Sequence, residues 1–361
     1  MKIGILTFHY ARNYGATLQA YCLQEVIKSF GHEVSLLDYR NPYLAHRKSP
    51  FSLKYFLSNP FKYLQRVVNI YYGYKKAVKY FKNFEKCYLN IEGSNLTESD
   101  ILDSDCDVLV VGSDQVWSPV ITNGPDPVYW GINKPRHSKL ITYAVSSCDT
   151  TLLSTDAFIK VSEWLKNFAA ISVREDRLKS FVESHINKPV KIVVDPTILA
   201  GRTILEKATA ERVIKEPYVL LYNVESTTEL PKIATFVAKK YNAKLVSISQ
   251  FVLSSRLKKK EKLHFQANVN EMLSLIKYAE CVVVLSFHGT VLSILFEKEF
   301  YSIVGKNMAR VESLLSKIGL TDRIVKDSSE VVIKNIDYTE VNKKLEELRE
   351  SSINWLKENL N

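Results

Sequence analysis

The sequence predicts an α/β protein of two Rossmann-like domains facing across a cleft. Three observations carry that prediction. Short β-branched apolar runs alternate with amphipathic helical stretches along the chain, the pattern of parallel sheets buried on both faces. The opening stretch, Ile3–Leu37, spells out one complete β–α–β unit. At 361 residues the chain is also longer than a single core usually serves.

Taken in order, Ile3–Phe8 reads as a strand and Leu18–Phe30 as a helix with Leu18, Tyr21, Cys22, Val26 and Phe30 on one stripe. Gly31 stands where a helix ends, and Val34–Leu37 is the second strand. Residues 43–90 form a helical insertion, interrupted at Pro50 and Pro60. Further strands are expected at Asp107–Val111, Lys139–Val145, Ala170–Val173 and Val190–Val194, with a helix at Phe158–Phe168. Pro196 is expected to block helix continuation after the last of these strands. A charged, irregular linker at Gly201–Glu216 separates the first domain, 1–205, from a second, 215–335. The second repeats the layout: strand Tyr218–Asn223, helix Leu230–Lys240, strand Lys244–Ile248, a lysine-rich loop at Leu257–Lys262 and helix Val269–Tyr278. Strand Val282–Leu285, strand Phe300–Ile303 and helix Arg310–Ile318 before Gly319 complete it. A closing helix, 338–361, is long enough to brace back on the first domain.

Composition bounds the function. Hydrophobic content of 46% and charged content of 24% are those of an ordinary globular protein. The first residues run directly into a strand pattern without a signal-peptide layout, and no apolar run approaches the ~18–20 residues of a spanning helix. The cysteines Cys22, Cys87, Cys106, Cys148 and Cys281 are scattered and include no C-x-x-C pair, which argues for free thiols in the cytoplasm and against a zinc site. A formal net charge of +10 suits an anionic partner. Between Tyr43 and Tyr88, ten lysines and arginines face Glu85 as the sole acid, with aromatics interleaved. That segment suits peripheral contact with the inner face of a membrane, or it is an amphipathic helical pair with core aromatics and solvated lysines. No recognised nucleic-acid module accompanies the charge, so nucleic acid is not expected as a partner.

The chemistry concentrates at strand ends, where open α/β sheets bind ligands. The central stretch is Cys281–Phe296, a buried strand breaking at Ser286-Phe287-His288-Gly289-Thr290 and resuming as an apolar helix. His288 there is either a turn or capping histidine, or a proton-transfer group beside the anion-favouring amides that open the helix. The loop after the first strand carries His9, Arg12 and Asn13, and its single glycine fits neither a dinucleotide fingerprint nor a P-loop. Asp114 and Gln115 follow another strand; Asp114 is a candidate base or a helix cap. Arg174, Glu175 and Asp195 stand at later strand ends, and Arg310 opens a helix. Two arginines and a histidine without a Cys/His ligand set suggest metal-independent chemistry on an anion, since guanidinium grips carboxylate or phosphate in a fork.

Several stretches together resemble the bacterial polysaccharide pyruvyl transferase family. They are Asn13-Tyr14-Gly15-Ala16-Thr17-Leu18-Gln19-Ala20-Tyr21, Gly112-Ser113-Asp114-Gln115-Val116-Trp117, Ile171-Ser172-Val173-Arg174-Glu175, Asp195-Pro196-Thr197 and Ser286-Phe287-His288-Gly289-Thr290, with Met308-Ala309-Arg310 similar to the family's asparagine-serine-arginine turn. The resemblance implies a GT-B-like fold and transfer of pyruvate from phosphoenolpyruvate to two hydroxyls of a sugar, closing a cyclic ketal for exopolysaccharide or capsule. It further implies catalysis by His288 and donor binding by Arg174, and requires no cofactor. Asp114 is the second catalytic candidate; Arg310, Arg12, Asn13, Gln115, Gly289 and Thr290 are substrate-binding candidates. The acceptor is a sugar, and a lipid-linked one would suit the basic-aromatic segment. The chain departs from the family pattern in having Leu285 where aspartate is common, Ser147-Cys148-Asp149 in place of Ser-Phe-Gly, and Asn268-Val269 in place of Gly-Pro. Two rivals stay open: a GT-B-type glycosyltransferase using a nucleotide sugar, and a non-catalytic glycan-binding member.

Overall fold

The computed structural model describes residues 1–46, 60–132, 136–147, 161–222, 229–248, 263–303, 305 and 308–361. The chain forms two compact units, the first of Met1–Lys48, Glu85–Ala200 and Glu346–Asn361, the second of Ser49–Phe84 and Gly201–Leu345.

In the first unit β1 (Lys2–Leu6), β2 (Glu33–Tyr39), β3 (Ile91–Leu96), β4 (Val108–Asp114), β5 (Lys139–Val145), β6 (Ile171–Val173) and β7 (Val190–Ile192) build one sheet. Its order is β3-β2-β1-β4-β5-β6-β7, and every pairing is parallel. The order reverses between β1 and β4, so the loop leaving β1 and the end of β4 flank the switch point where such sheets take ligands. Val108, Leu109, Val110 and Val111 are buried without alternation, as a central strand covered on both faces requires. Trp117 and Trp130, both fully buried in the core of this unit, stack at 4.6 Å.

The second unit holds β8 (Tyr218–Tyr222), β9 (Lys244–Ile248), β10 (Leu263–Phe265), β11 (Cys281–Val284), β12 (Glu299–Ile303) and β13 (Ile324–Val325). This sheet, ordered β10-β9-β8-β11-β12-β13, is also wholly parallel. Its switch point lies between β8 and β11, and β11 leads into the Ser286–Thr290 corner.

The helix expected from Leu18 begins at Tyr14, because the Asn13 side chain accepts from the Gly15 N–H at 2.9 Å and caps it there. Pro196 does not stop a helix but opens one, Pro196–Lys207, in the first turn where its missing N–H costs nothing. That helix runs through the start of the expected linker and is broken only at Gly201, whose φ of 67° and ψ of −175° are non-helical. The expected insertion contains one 29-residue helix, Pro60–Tyr88, opened rather than interrupted by Pro60. In its last turns Ala77, Phe81 and Phe84 are buried while Lys75, Lys76, Lys79, Lys82 and Lys86 face solvent, so here the aromatics are core. No helix among the described residues is long and apolar enough to cross a membrane. Pro50, the lysine-rich loop at 257–262 and the first three residues of the expected helix 158–168 lie outside the described residues, and 161–165 are helical as expected.

The closing helix, Tyr338–Leu360, braces back as expected. Its first turns serve the second unit, where Tyr338 donates to the Lys298 carbonyl and Asn342 to Glu297. Its remainder belongs to the first unit: Ser352 accepts from the Val194 N–H at 3.0 Å, Arg349 donates to the Leu199 carbonyl at 2.8 Å, and Leu356 and Leu360 are fully buried.

Candidate functional site

In the second unit, β11 ends and the helix Phe287–Leu295 begins within two residues. Ser286 caps it, its hydroxyl accepting from the Gly289 N–H at 3.1 Å. Only glycine fits at 289: a Cβ there would stand 2.4 Å from Val284 Cγ2 and 2.8 Å from Tyr222 Cδ1. Thr290 is fully buried, its hydroxyl donating to the Ser286 carbonyl and bonding Ser302 at 3.0 Å. Thr290 and Gly289, both expected to bind substrate, shape the corner through these contacts.

His288 is partly exposed in the first turn of this helix, where the dipole and opening amides favour an anion. Phe287 meets the His288 ring edge-on at 5.5 Å, and the Arg310 guanidinium lies over the opposite partner, the Phe287 ring, at 5.5 Å from its centre. One aromatic side chain thus links the candidate acid/base to the candidate anion-binding arginine, though 22 positions of sequence separate them. Leu285, in place of the family's common aspartate, packs against the apolar core of this unit.

In the first unit the strand ends gather His9, Asp114, Ser146, Arg174, Glu175 and Asp195. Asp114 has φ 82°, a left-handed conformation uncommon outside glycine, and its carboxylate accepts from the Gln115 N–H at 2.8 Å. The adjacent strand carries a second such residue, Ala144 at φ 53°. Strain concentrated at neighbouring strand ends is what a site-forming edge tolerates. Ser146, after β5, donates to the Glu175 carboxylate, and its own N–H donates to the Asp114 carbonyl at 3.0 Å. Asn13 serves as the helix cap described above, and Arg12 and Gln115 are both partly exposed.

Arg174 departs most from the simple expectation. Its side chain is 3% exposed and paired with Asp195, which is fully buried. The other Asp195 oxygen accepts from Thr197 N at 2.9 Å and Thr197 Oγ1 at 2.6 Å. A buried ion pair of this kind is held by its hydrogen bonds, since Coulomb attraction alone barely offsets desolvation. Any donor anion meeting Arg174 shares the guanidinium with Asp195.

Sequence reasoning passed over Asp38. This residue accepts from His9 Nε2 at 3.1 Å and from Arg40 Nε and a terminal nitrogen at 2.7 and 2.9 Å. Burial alone would raise its pKa, but those hydrogen bonds hold it at about 2. The signal available was an Asp-Tyr-Arg run closing the second strand.

Two wholly parallel α/β units, with candidate residues after β1, β4, β6, β7 and β11, define a GT-B-like fold. The chain belongs to the polysaccharide pyruvyl transferase family, whose model matches residues 13–307. The fold is similar to that of UDP-GlcNAc 2-epimerase from Methanocaldococcus jannaschii, with a TM-score of 0.51 at 12% identity over 97% of this chain and 93% of that one. It is likewise similar to a putative UDP-N-acetylglucosamine 2-epimerase from Listeria monocytogenes, with a TM-score of 0.50 at 7% identity over 99% and 95% of the two chains. No curated protein matches the sequence.

Proposed function

We propose that the protein moves pyruvate from phosphoenolpyruvate onto two hydroxyls of a sugar, forming a cyclic ketal in exopolysaccharide or capsule synthesis. The observation that carries this reading is the Ser286–Gly289 corner, where His288 opens a helix at a sheet switch point and shares Phe287 with Arg310. Family membership supports a pyruvyl transferase in particular.

In the proposed sequence His288, as imidazolium, delivers its proton to the methylene carbon of phosphoenolpyruvate. The neighbouring carbon becomes oxocarbenium-like and the first sugar hydroxyl adds there, returning its proton to the imidazole. Phosphate then leaves, taking up a proton, and the second hydroxyl closes the ring with loss of its own. Arg310 stabilises the phosphate or carboxylate charge, a contact of the kind worth about 3–4 kcal/mol when it strengthens in the transition state. Arg174 is proposed as a further donor contact on the family resemblance, with Asp195 fixing its orientation. Asp114, Arg12 and Gln115 remain proposed contacts at the first sheet's edge, Asp114 with a possible base role. The reaction is proposed to need no metal or cofactor, to take a lipid-linked sugar, and to run in the cytoplasm with peripheral contact at the inner membrane face.

The decisive test is phosphate release from phosphoenolpyruvate against a panel of galactosides, glucosides and mannosamine derivatives, free and lipid-linked. Release dependent on one acceptor, with a ketal in the product, supports the reading. Absence of release together with binding of a nucleoside diphosphate would instead favour a nucleotide-sugar glycosyltransferase.

A further inference from the structure

The loop leaving β1 is clamped to the exit of β2 by a buried set of charges that the reaction above does not use. His9 is 1% exposed. Its Nδ1 lies 3.2 Å from the Thr7 carbonyl and its Nε2 lies 3.1 Å from Asp38 Oδ1. The Thr7 hydroxyl, in turn, donates to the Ser113 carbonyl of β4 at 2.8 Å and accepts from Gln19 at 2.8 Å. One residue on, the Tyr10 hydroxyl accepts from the Asn41 N–H at 2.8 Å, and the Arg40 guanidinium lies 5.9 Å from the Tyr10 ring centre. The second Asp38 oxygen accepts from Arg40 and from the Asn95 N–H. These bonds tie the β1 exit to β2, to β4 and to the helix that follows it, and Asp38 in turn to β3.

A carbonyl only accepts, and so does an ionised carboxylate. A neutral imidazole has one donor and one acceptor nitrogen, so it satisfies only one of the two partners. The geometry around His9 is complete only when both ring nitrogens carry hydrogen. We infer that His9 is a positioning residue, whose two-way donation to Thr7 and Asp38 fixes the loop that presents Arg12 and caps the following helix through Asn13. This rests on the proposed reading of Arg12 and Asn13 as lying at the substrate edge. His9 itself touches no substrate.

The titratable and charged groups facing His9 are Asp38 and Arg40 from β2 and its exit, Glu85 from the helix Pro60–Tyr88, and Arg12 and Tyr10 from the loop itself. Glu85 is raised from its ordinary value by burial, which His9, Arg40 and Arg12 oppose. Its charge state therefore follows the same cluster. Loss of either His9 contact leaves the loop held by the other and by the Thr7 and Tyr10 hydroxyl bonds.

The test uses the full chain labelled with nitrogen-15 and is independent of turnover. Both His9 ring nitrogens should carry hydrogen while the loop is ordered, and the Gly15 amide, which donates to Asn13, should shift with the same pH midpoint as the ring. A His9 ring with one bare nitrogen, or a Gly15 amide indifferent to its titration, would overturn the inference. In turnover, His9→Gln should raise KM with kcat nearly unchanged, to an overall loss of about 10–100-fold in kcat/KM. Equal kinetics in variant and wild type, or a fall in kcat alone, would count against positioning. Should the wild type release no phosphate at all, the proposed reaction fails while the nitrogen-15 result still decides the role of His9.

Discussion

The Arg310 guanidinium lies 5.5 Å from the centre of the Phe287 ring. That contact holds a guanidinium charge beside the ring that also meets His288. A cation–π contact contributes about 0.5–2 kcal/mol depending on its exposure. Phe287→Leu should therefore leave the fold intact and weaken phosphoenolpyruvate use by roughly 2–30-fold, as that energy converts. Steady-state phosphate release with varied donor checks it; an unchanged KM for the donor would show that Arg310 does not hold it.

His288→Ala should cut phosphate release by about 10²–10⁴-fold, the usual share of a positioned acid/base. The variant should melt within a few degrees of the parent, because His288 is partly exposed and the corner is held by Ser286, Gly289 and Thr290. Near-normal turnover would remove it from the mechanism.

Gly289→Ala places a methyl 2.4 Å from Val284 Cγ2 and 2.9 Å from Ser286 Oγ. Overpacking of this kind costs about 1–3 kcal/mol. A lower melting temperature and lost activity are expected together, because the same shift displaces His288. Retained activity at a lowered melting temperature would mean the corner relaxes elsewhere.

Asp195→Ala removes the buried carboxylate paired with Arg174 and should destabilise by about 3–5 kcal/mol. Replacing both, as Arg174→Met with Asp195→Leu, should recover most of that loss while abolishing any donor contact Arg174 makes. Thermal melts separate the stability effect, and KM for phosphoenolpyruvate separates the functional one. A double variant with full activity would assign Arg174 to the fold alone.

Two carboxylates of the His9 cluster respond oppositely to pH. Asp38, lowered from 3.8 to about 2, adds stability that is present above the unfolded value and lost as pH falls through the folded one. Glu85 is raised above 4.5, so folding favours its protonated form and stability falls as pH rises through the raised value. Glu85→Gln should accordingly raise the melting temperature at pH 7 and leave it unchanged near pH 4. A drop at pH 7 would show that the charge is needed there by His9, Arg40 or Arg12.

Much of the fold was legible. Lys139–Val145 and Lys244–Ile248 match their expected bounds at both ends, and Tyr338–Leu360 to within one residue, because apolar strand runs and long amphipathic stretches have few competing interpretations. The edge strand Ile91–Leu96 was not, since its Glu92, Gly93, Ser94 and Asn95 are exposed and show no strand alternation. Strands Leu263–Phe265 and Ile324–Val325 are too short to show a period. At the site, the His288 corner stood out as a polar break between apolar runs. The Arg174–Asp195, Thr290–Ser302 and His9–Asp38 pairings did not, because each is made by chain topology across positions that no local pattern connects.

The closing helix has a bearing on biosynthesis. Leu356 and Leu360 are buried in the unit whose sheet begins with Lys2–Leu6, a strand made long before them. A nascent chain emerging from the ribosome therefore carries the seven strands of that sheet with part of their cover still untranslated, which keeps greasy surface open until the closing helix is made. Release of the first unit from a chaperone should coincide with synthesis of the last two turns of the helix Tyr338–Leu360, and ribosome-stalled chains lacking them should stay protease-sensitive across the first seven strands.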